Sequence, residues 1–89
     1  MPIVTNDRDI LINNLHKLHT TELGKQRILK NLRITVANPV EWCKTQILDG
    51  NSFVESRGKN FYVSTQDFII TINRTSFTII TAKIRASVK

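Results

Sequence analysis

Residues 58–84 read GKNFYVSTQDFIITINRTSFTIITAKI, and this stretch decides the fold. Its large apolar residues recur with a period close to two: Phe61 and Val63, then Phe68, Ile70 and Ile72, then Phe77 and Ile79. A strand with one buried face has that period, because successive side chains point to opposite sides of a sheet. Phe, Tyr, Val, Ile and Thr dominate, and all of them suit a pleated, half-buried surface. The same pattern reaches back to Gly50, so four strands are predicted: Ser52–Ser56, Asn60–Ser64, Phe68–Asn73 and Phe77–Ile84. Arg57-Gly58-Lys59, Thr65-Gln66-Asp67 and Arg74-Thr75-Ser76 separate them. Connections of about three residues are too short for parallel crossovers, so the strands form an antiparallel meander.

Before Gly50 the period is that of a helix. Leu11, Leu15 and Leu18 fall on one face of a first helix near residues 9–19, which Asp7 or Asp9 can cap and which His16 and His19 end. Thr20-Thr21 offers a cap for a second helix, near 21–33, with Leu23, Ile28, Leu29 and Leu32 as its apolar side. Gly24 in its first turn costs about 1 kcal/mol against Ala. Asn38-Pro39-Val40-Glu41 is a third start signal: Asn caps, Pro takes the first helical position, and Glu reaches back to the cap. Val40, Cys43 and Ile47 give that helix its inner side, and Asp49-Gly50-Asn51 ends it near 49. The expected architecture is α+β, three N-terminal helices followed by a four-stranded antiparallel β-meander. Residues 1–8 read as a flexible arm and 9–89 as one domain.

The chain has 89 residues, and two independent cores of half that size would each be too small. Its 40 % hydrophobic and 22 % charged residues exclude a disordered composition. Formal net charge is +6, which favours polyanionic partners through steering and counterion release. Cys43 is the single cysteine, so neither an intramolecular disulfide nor a Cys-rich metal site can be built. The N-terminal residues lack a signal-peptide pattern, and no apolar run reaches the roughly 18 residues of a spanning helix. A cytoplasmic protein with no membrane partner is expected.

Few side chains are suited to chemistry. His16 and His19 sit one turn apart, half of a metal site, but nothing supplies the other ligands, and neither a metal nor another cofactor is expected. An imidazole also suits proton transfer, with a hydrogen-bonded helix-end histidine as the plainer role. Cys43 lies on an apolar helix face and reads as a core thiol; its neighbour Trp42 covers a helix–sheet edge or a partner. Arg57-Gly58-Lys59-Asn60 is a tight basic turn. Lys59, Tyr62, Asn73, Arg74, Thr81 and Lys83 share one small sheet, where Lys and Arg can position a phosphate and hydroxyls add donors. Lys25, Arg27, Lys30 and Arg33 make the second helix strongly basic. No phosphate loop, nucleophile elbow or paired catalytic carboxylates occur, which argues against nucleotide, serine-type and glycoside hydrolysis.

HTTELGKQRILKNL, VEWCKTQI, RGKNFYV and IITINRTSFTIITAKI together resemble the small bacterial and phage proteins grouped as domain of unknown function 3781, over about residues 15–84. That resemblance brings no activity with it. More loosely, the order of a histidine-bearing helix, a basic helix and a sheet whose last strand ends I-I-T-A is similar to the barnase–EndoU–colicin–RelE group of metal-independent RNases. The resemblance to that group implies a catalytic set of His19, Lys59 and Thr81, with His16, Arg57 and Tyr62 as alternates. It also implies RNA contacts from Lys25, Arg27, Lys30, Arg33, Arg74 and Lys83. The sequence departs from the group in having Lys83 just after Thr81-Ala82 and no histidine in the sheet.

The functional expectation is a small basic protein that binds or acts on RNA or another polyanion, toxin-like or phage-encoded, with metal-independent endoribonuclease as the enzymatic form. The alternative is a non-enzymatic phage or prophage inhibitor that occupies a host protein or nucleic-acid site. Partners in view are RNA, an acidic protein surface, an antitoxin or host target, and a second copy paired through the open sheet edge.

Overall fold

Four strands pair in chain order, β1 (Phe53–Arg57), β2 (Asn60–Ser64), β3 (Phe68–Asn73) and β4 (Ile79–Ile84), and every pairing is antiparallel. This computed structural model describes residues 7–85. Helices α1 (Asp7–Asn13), α2 (Glu22–Leu32) and α3 (Pro39–Leu48) precede the sheet, with a short 3-10 turn at Leu15–Lys17 after α1. The α+β architecture is as the sequence predicts.

Register divides the sheet into two faces. Val54, Val63, Ile70 and Ala82 stand opposite one another across the four strands, as do Ser56, Phe61, Ile72 and Ile79. All of these but Ser56 meet Leu11 of α1, Leu18 of the segment before α2, Ile28 and Leu32 of α2, and Cys43 and Ile47 of α3 in one apolar core. Each fully buried Ile contributes roughly 1.5–3 kcal/mol of transfer free energy. Trp42 packs edge-on against Phe68, with ring centroids 5.0 Å apart at 77°, and so closes the helix–sheet edge. The opposite face carries Phe53, Glu55, Arg57, Asn60, Tyr62, Ser64, Ile69, Thr71, Thr81 and Lys83.

The caps follow the expected chemistry. Thr21 accepts the Gly24 amide at 3.0 Å and Asn38 accepts the Glu41 amide at 3.2 Å. Gly24 has a reason beyond propensity: it is buried at the start of α2, and a Cβ there would collide with the hydroxyl of Thr20. That hydroxyl donates to the Ile79 carbonyl at 2.9 Å, which fastens α2 to β4.

Three boundaries and the inward side of one helix differ from expectation. The first helix ends at Asn13, and residues 18–20 are extended, because the backbone of His19 pairs with β4: its amide donates to Phe77 and its carbonyl accepts from Ile79. Asp7 and Arg8 of the expected arm are ordered parts of α1. The Asp7 carboxylate accepts the Ser56 amide at 2.8 Å, and Arg8 donates to the Ser52 and Asp49 carbonyls; residues 1–6 lie outside the described segment. Leu23 is 64 % exposed, because buried Gly24, Ile28 and Leu32 set which side of α2 faces inward. Phe77 precedes β4 and takes a left-handed backbone at φ 58°, an uncommon conformation for an aromatic residue. Its ring, 6.3 Å from that of Phe61, closes the core at this end.

Candidate nucleic-acid interface

The β1–β2 turn and the β3–β4 loop abut at one end of the sheet. Gly58 adopts φ +58°, which a tight hairpin turn requires and glycine supplies without strain. The Arg74 amide donates to the Lys59 carbonyl at 2.8 Å, and its guanidinium donates to the Gly58 carbonyl at 3.0 Å. Asn73 folds the second loop by accepting the amides of Thr75 and Ser76, each at 2.9 Å. Arg57, Lys59 and Arg74 therefore arrive together. Among the described residues neither Lys59 nor Arg74 forms an ion pair.

Arg57 lies over the Tyr62 ring, 4.7 Å from its centroid, while its Nε stands 3.6 Å from Glu55. Glu55 is the one carboxylate on the outward positions of the four strands. Arg74 and Lys17 approach the rings of Phe61 and Phe77 at 5.9 and 5.8 Å. These cation–π contacts hold long side chains near the rings and leave their charge available at the surface.

His19 joins the same end from beyond β4. Its Nδ1 is 2.8 Å from the Lys17 carbonyl, which can only accept, so Nδ1 carries the proton. Its Nε2 is 3.1 Å from the Thr78 hydroxyl, which also meets Ser76 at 2.7 Å. Both ring nitrogens thus have protein partners, and Nε2 must leave Thr78 to take a proton from anything else. His16 is exposed on the 3-10 turn.

The expected catalytic set is not gathered at one point. Neighbouring strands lie about 4.8 Å apart, so His19, one place beyond β4, stands about 14 Å of backbone from the start of β2. Lys59 precedes that start. Thr81 pairs with Thr71 on the outward face and accepts a hydrogen bond from Asn31 of α2 at 3.3 Å. Tyr62 stands on the same face two strands away, its hydroxyl 3.5 Å from the Asn60 amide nitrogen.

The basic residues of α2 divide. Arg27 is exposed one turn before Asn31, whose side chain reaches Thr81 of β4, and Lys83 is exposed two places further along that strand. Lys30 is exposed nearby, Lys25 pairs with Glu22 at 3.4 Å, and Arg33 forms the left-handed cap of the helix at φ 56°. Sequence reasoning missed Phe53, which is 64 % exposed on β1 and shares the outward face with Tyr62. An exposed aromatic at the start of a strand is a weak signal, and only the register gives it a neighbour.

Cys43 is buried, and desolvation pushes its thiol up to about 12, which makes it inert as a nucleophile. Among the described residues no three of His, Cys, Asp and Glu are placed to hold a metal ion. No helix among them is long and apolar enough to cross a membrane.

Comparison with known proteins finds no match among curated proteins or solved structures. The looser likeness to the barnase–EndoU–colicin–RelE group finds no support there, so any nuclease role rests on the side chains alone. One family does match, over residues 12–83 and so most of the chain, and it spans the pinned helix start, the basic loop end and the last strand alike. The chain belongs to the family described as protein of unknown function (DUF3781).

Proposed function

We propose that the chain binds RNA, with the abutting β1–β2 and β3–β4 loops as the seat of its phosphates. One observation carries this reading: Arg57, Lys59 and Arg74 meet at one end of the sheet, and Glu55 is the one carboxylate on the outward strand positions of the adjoining face. Lysine and arginine neutralise phosphates and release counterions, so such a cluster acts on any nucleic-acid backbone. Asn60, Asn73, Ser76 and Thr78 add donors and acceptors around it. Binding rather than cleavage is favoured because His19 and Lys59 stand too far apart in backbone to serve one phosphorus atom readily. A chain of successive phosphates is better suited to that spacing.

The test is a salt titration of binding to a labelled RNA in the presence of chelator. The logarithm of affinity should fall linearly with the logarithm of salt, by roughly 0.7 for each single-strand phosphate neutralised. Lys59→Ala should reduce that slope by about one such step and keep the melting temperature. A slope near zero, or no binding at low salt, sinks the proposal and favours an acidic protein surface as the partner.

A further inference from the structure

The outward face of the sheet offers more than charge. Phe53 and Tyr62 lie on neighbouring strands, and the register places Glu55 opposite Tyr62 and Phe53 opposite Ser64. The two aromatic residues are therefore diagonal neighbours on one face, about 7–8 Å apart in backbone. Phe53 is 64 % exposed, and Tyr62 is half-buried with its hydroxyl beside Asn60. The helices pack their cores against the opposite face. Cations border this pair: Arg57 over Tyr62, Lys83 on the same face of β4, and Lys59 in the adjoining turn.

We infer that this face is a stacking platform for single-stranded nucleic acid, with successive bases lying on Tyr62 and Phe53 and the backbone running along the cationic border. The inference rests on the polyanion reading above and adds the part of the ligand that the cations cannot recognise. Aromatic rings bind any base through its π-face, and a duplex hides those faces within its own stack. The Arg57 guanidinium occupies the Tyr62 ring in the free protein. Being planar, long and exposed, it yields that ring to a base and turns to the neighbouring phosphate. Ser64 and Asn60, half-buried on the same face beside the rings, supply polar contacts to base edges or sugar hydroxyls. Charge complementarity selects this occupant over a second copy of the chain, because pairing two such faces would set Arg57, Lys59 and Lys83 against their equals.

The experiment compares four labelled or competing probes of matched length: single-stranded RNA, single-stranded DNA, duplex RNA and inorganic polyphosphate, which has charge but no bases. Both single strands should bind more tightly than the duplex and polyphosphate. A preference for RNA over DNA would assign the neighbouring hydroxyls and amides to the 2′-hydroxyl. Phe53→Ala and Tyr62→Ala should each weaken single-strand binding roughly 5- to 150-fold. Tyr62→Phe should match the parent, and polyphosphate affinity should stay unchanged throughout. Cooperative melting checks that each variant is folded; Phe53→Ala, at an exposed site, keeps the test open if Tyr62→Ala fails to fold. If folded variants bind single strands as the parent does, or duplex and polyphosphate bind equally well, the platform is overturned while the cationic reading stands. If polyphosphate and RNA both fail to bind at low salt, the cationic reading falls and takes the platform with it. A dimer that Phe53→Ala dissociates, with RNA affinity unchanged, also overturns it.

Discussion

The guanidinium of Arg57 and the ring of Tyr62 lie 4.7 Å apart on the outward face, with Glu55 holding the same guanidinium at 3.6 Å. One side chain thus serves two partners, an anion and an aromatic face. Arg57 and Glu55 are both exposed to a large extent, so the ion pair is screened and adds little to stability. Its interest lies in what it withholds from a ligand.

Glu55→Gln should therefore tighten RNA binding, by up to about fivefold at low salt, since it frees Arg57 and removes the face's one carboxylate. Arg57→Ala should weaken binding and lower the salt slope by roughly 0.7. The double variant should bind much as Arg57→Ala does, without the gain that Glu55→Gln gives alone, because Glu55 acts largely through Arg57. Fluorescence anisotropy at several salt concentrations measures all three. Equal affinities across the set would remove this face from the interface.

Gly24→Ala should destabilise the protein, against the usual gain of about 1 kcal/mol for this exchange within a helix. The new methyl group meets the Thr20 hydroxyl and displaces its hydrogen bond to Ile79. A net loss of about 1–3 kcal/mol is expected from that overpacking. In a Thr20→Ala background most of the obstruction is gone, so Gly24→Ala should there be close to neutral or stabilising. Urea denaturation of the four proteins in this cycle gives the coupling. An additive result would mean that α2 is fastened to β4 in some other way.

The same contact shows where the sequence was readable and where it was not. The change of period at Gly50 locates four strands, and Asn38-Pro39 and Thr21 locate two helix starts, because those signals are local. Leu18 continues the spacing of Leu11 and Leu15 yet is extended in the structure. Its neighbours His19 and Thr20 are drawn onto β4, some sixty residues away. Periodicity cannot register a demand from so far along the chain. Leu23 was misread for a similar reason: the close approach of Gly24 to Thr20 turns the helix so that Leu23 faces outward.

The site follows the same division. Its cations were evident as residue types, and the basic turn at Gly58 was evident from glycine. Their grouping was not. Lys59 and Arg74 meet because two hairpins share one end of the sheet, and Phe53 joins Tyr62 because of register. The sheet edges, expected to be open for a second copy, are partly engaged instead. Asp7 caps the Ser56 amide on β1, and His19 pairs with the start of β4. These contacts blunt an edge against strand addition.

Alkaline pH should destabilise the fold through Cys43. Burial raises its thiol from 9.0 to about 12, so the folded state holds this proton more tightly than the unfolded chain does. The associated stability is full below about pH 9 and is lost progressively as pH rises from there toward 12. The quantity to measure is the difference between the parent and Cys43→Ala. The parent should lose stability faster over that interval, while Cys43→Ala starts lower because of the cavity it leaves. Thiol reagents should modify native protein no faster than it unfolds. Rapid labelling in native buffer would place Cys43 nearer the surface than the fold implies.

His19 separates scaffold from chemistry. Its backbone holds the start of β4, donating to Phe77 at 3.2 Å and accepting from Ile79 at 2.8 Å, and both bonds survive His19→Ala. The exposed ring adds the contact with Thr78, so the alanine variant should lose at most about 1 kcal/mol. His19→Pro lacks the amide and should cost more, with the loss centred on the attachment of β4. On RNA, the parent in chelator should bind without cutting, because Nε2 faces Thr78 and Lys59 lies about three strand spacings away. His19→Ala should then keep its affinity within about fivefold, the effect of one weak polar contact. Discrete fragments from the parent would reverse this reading. If His19→Ala and Lys59→Ala then lost cleavage while remaining folded, His19 would be the proton-transfer group, an effect of roughly 10²–10⁴-fold. Thr81→Val would complete that set, since it deletes a hydroxyl and keeps both the volume and the strand preference of the last strand.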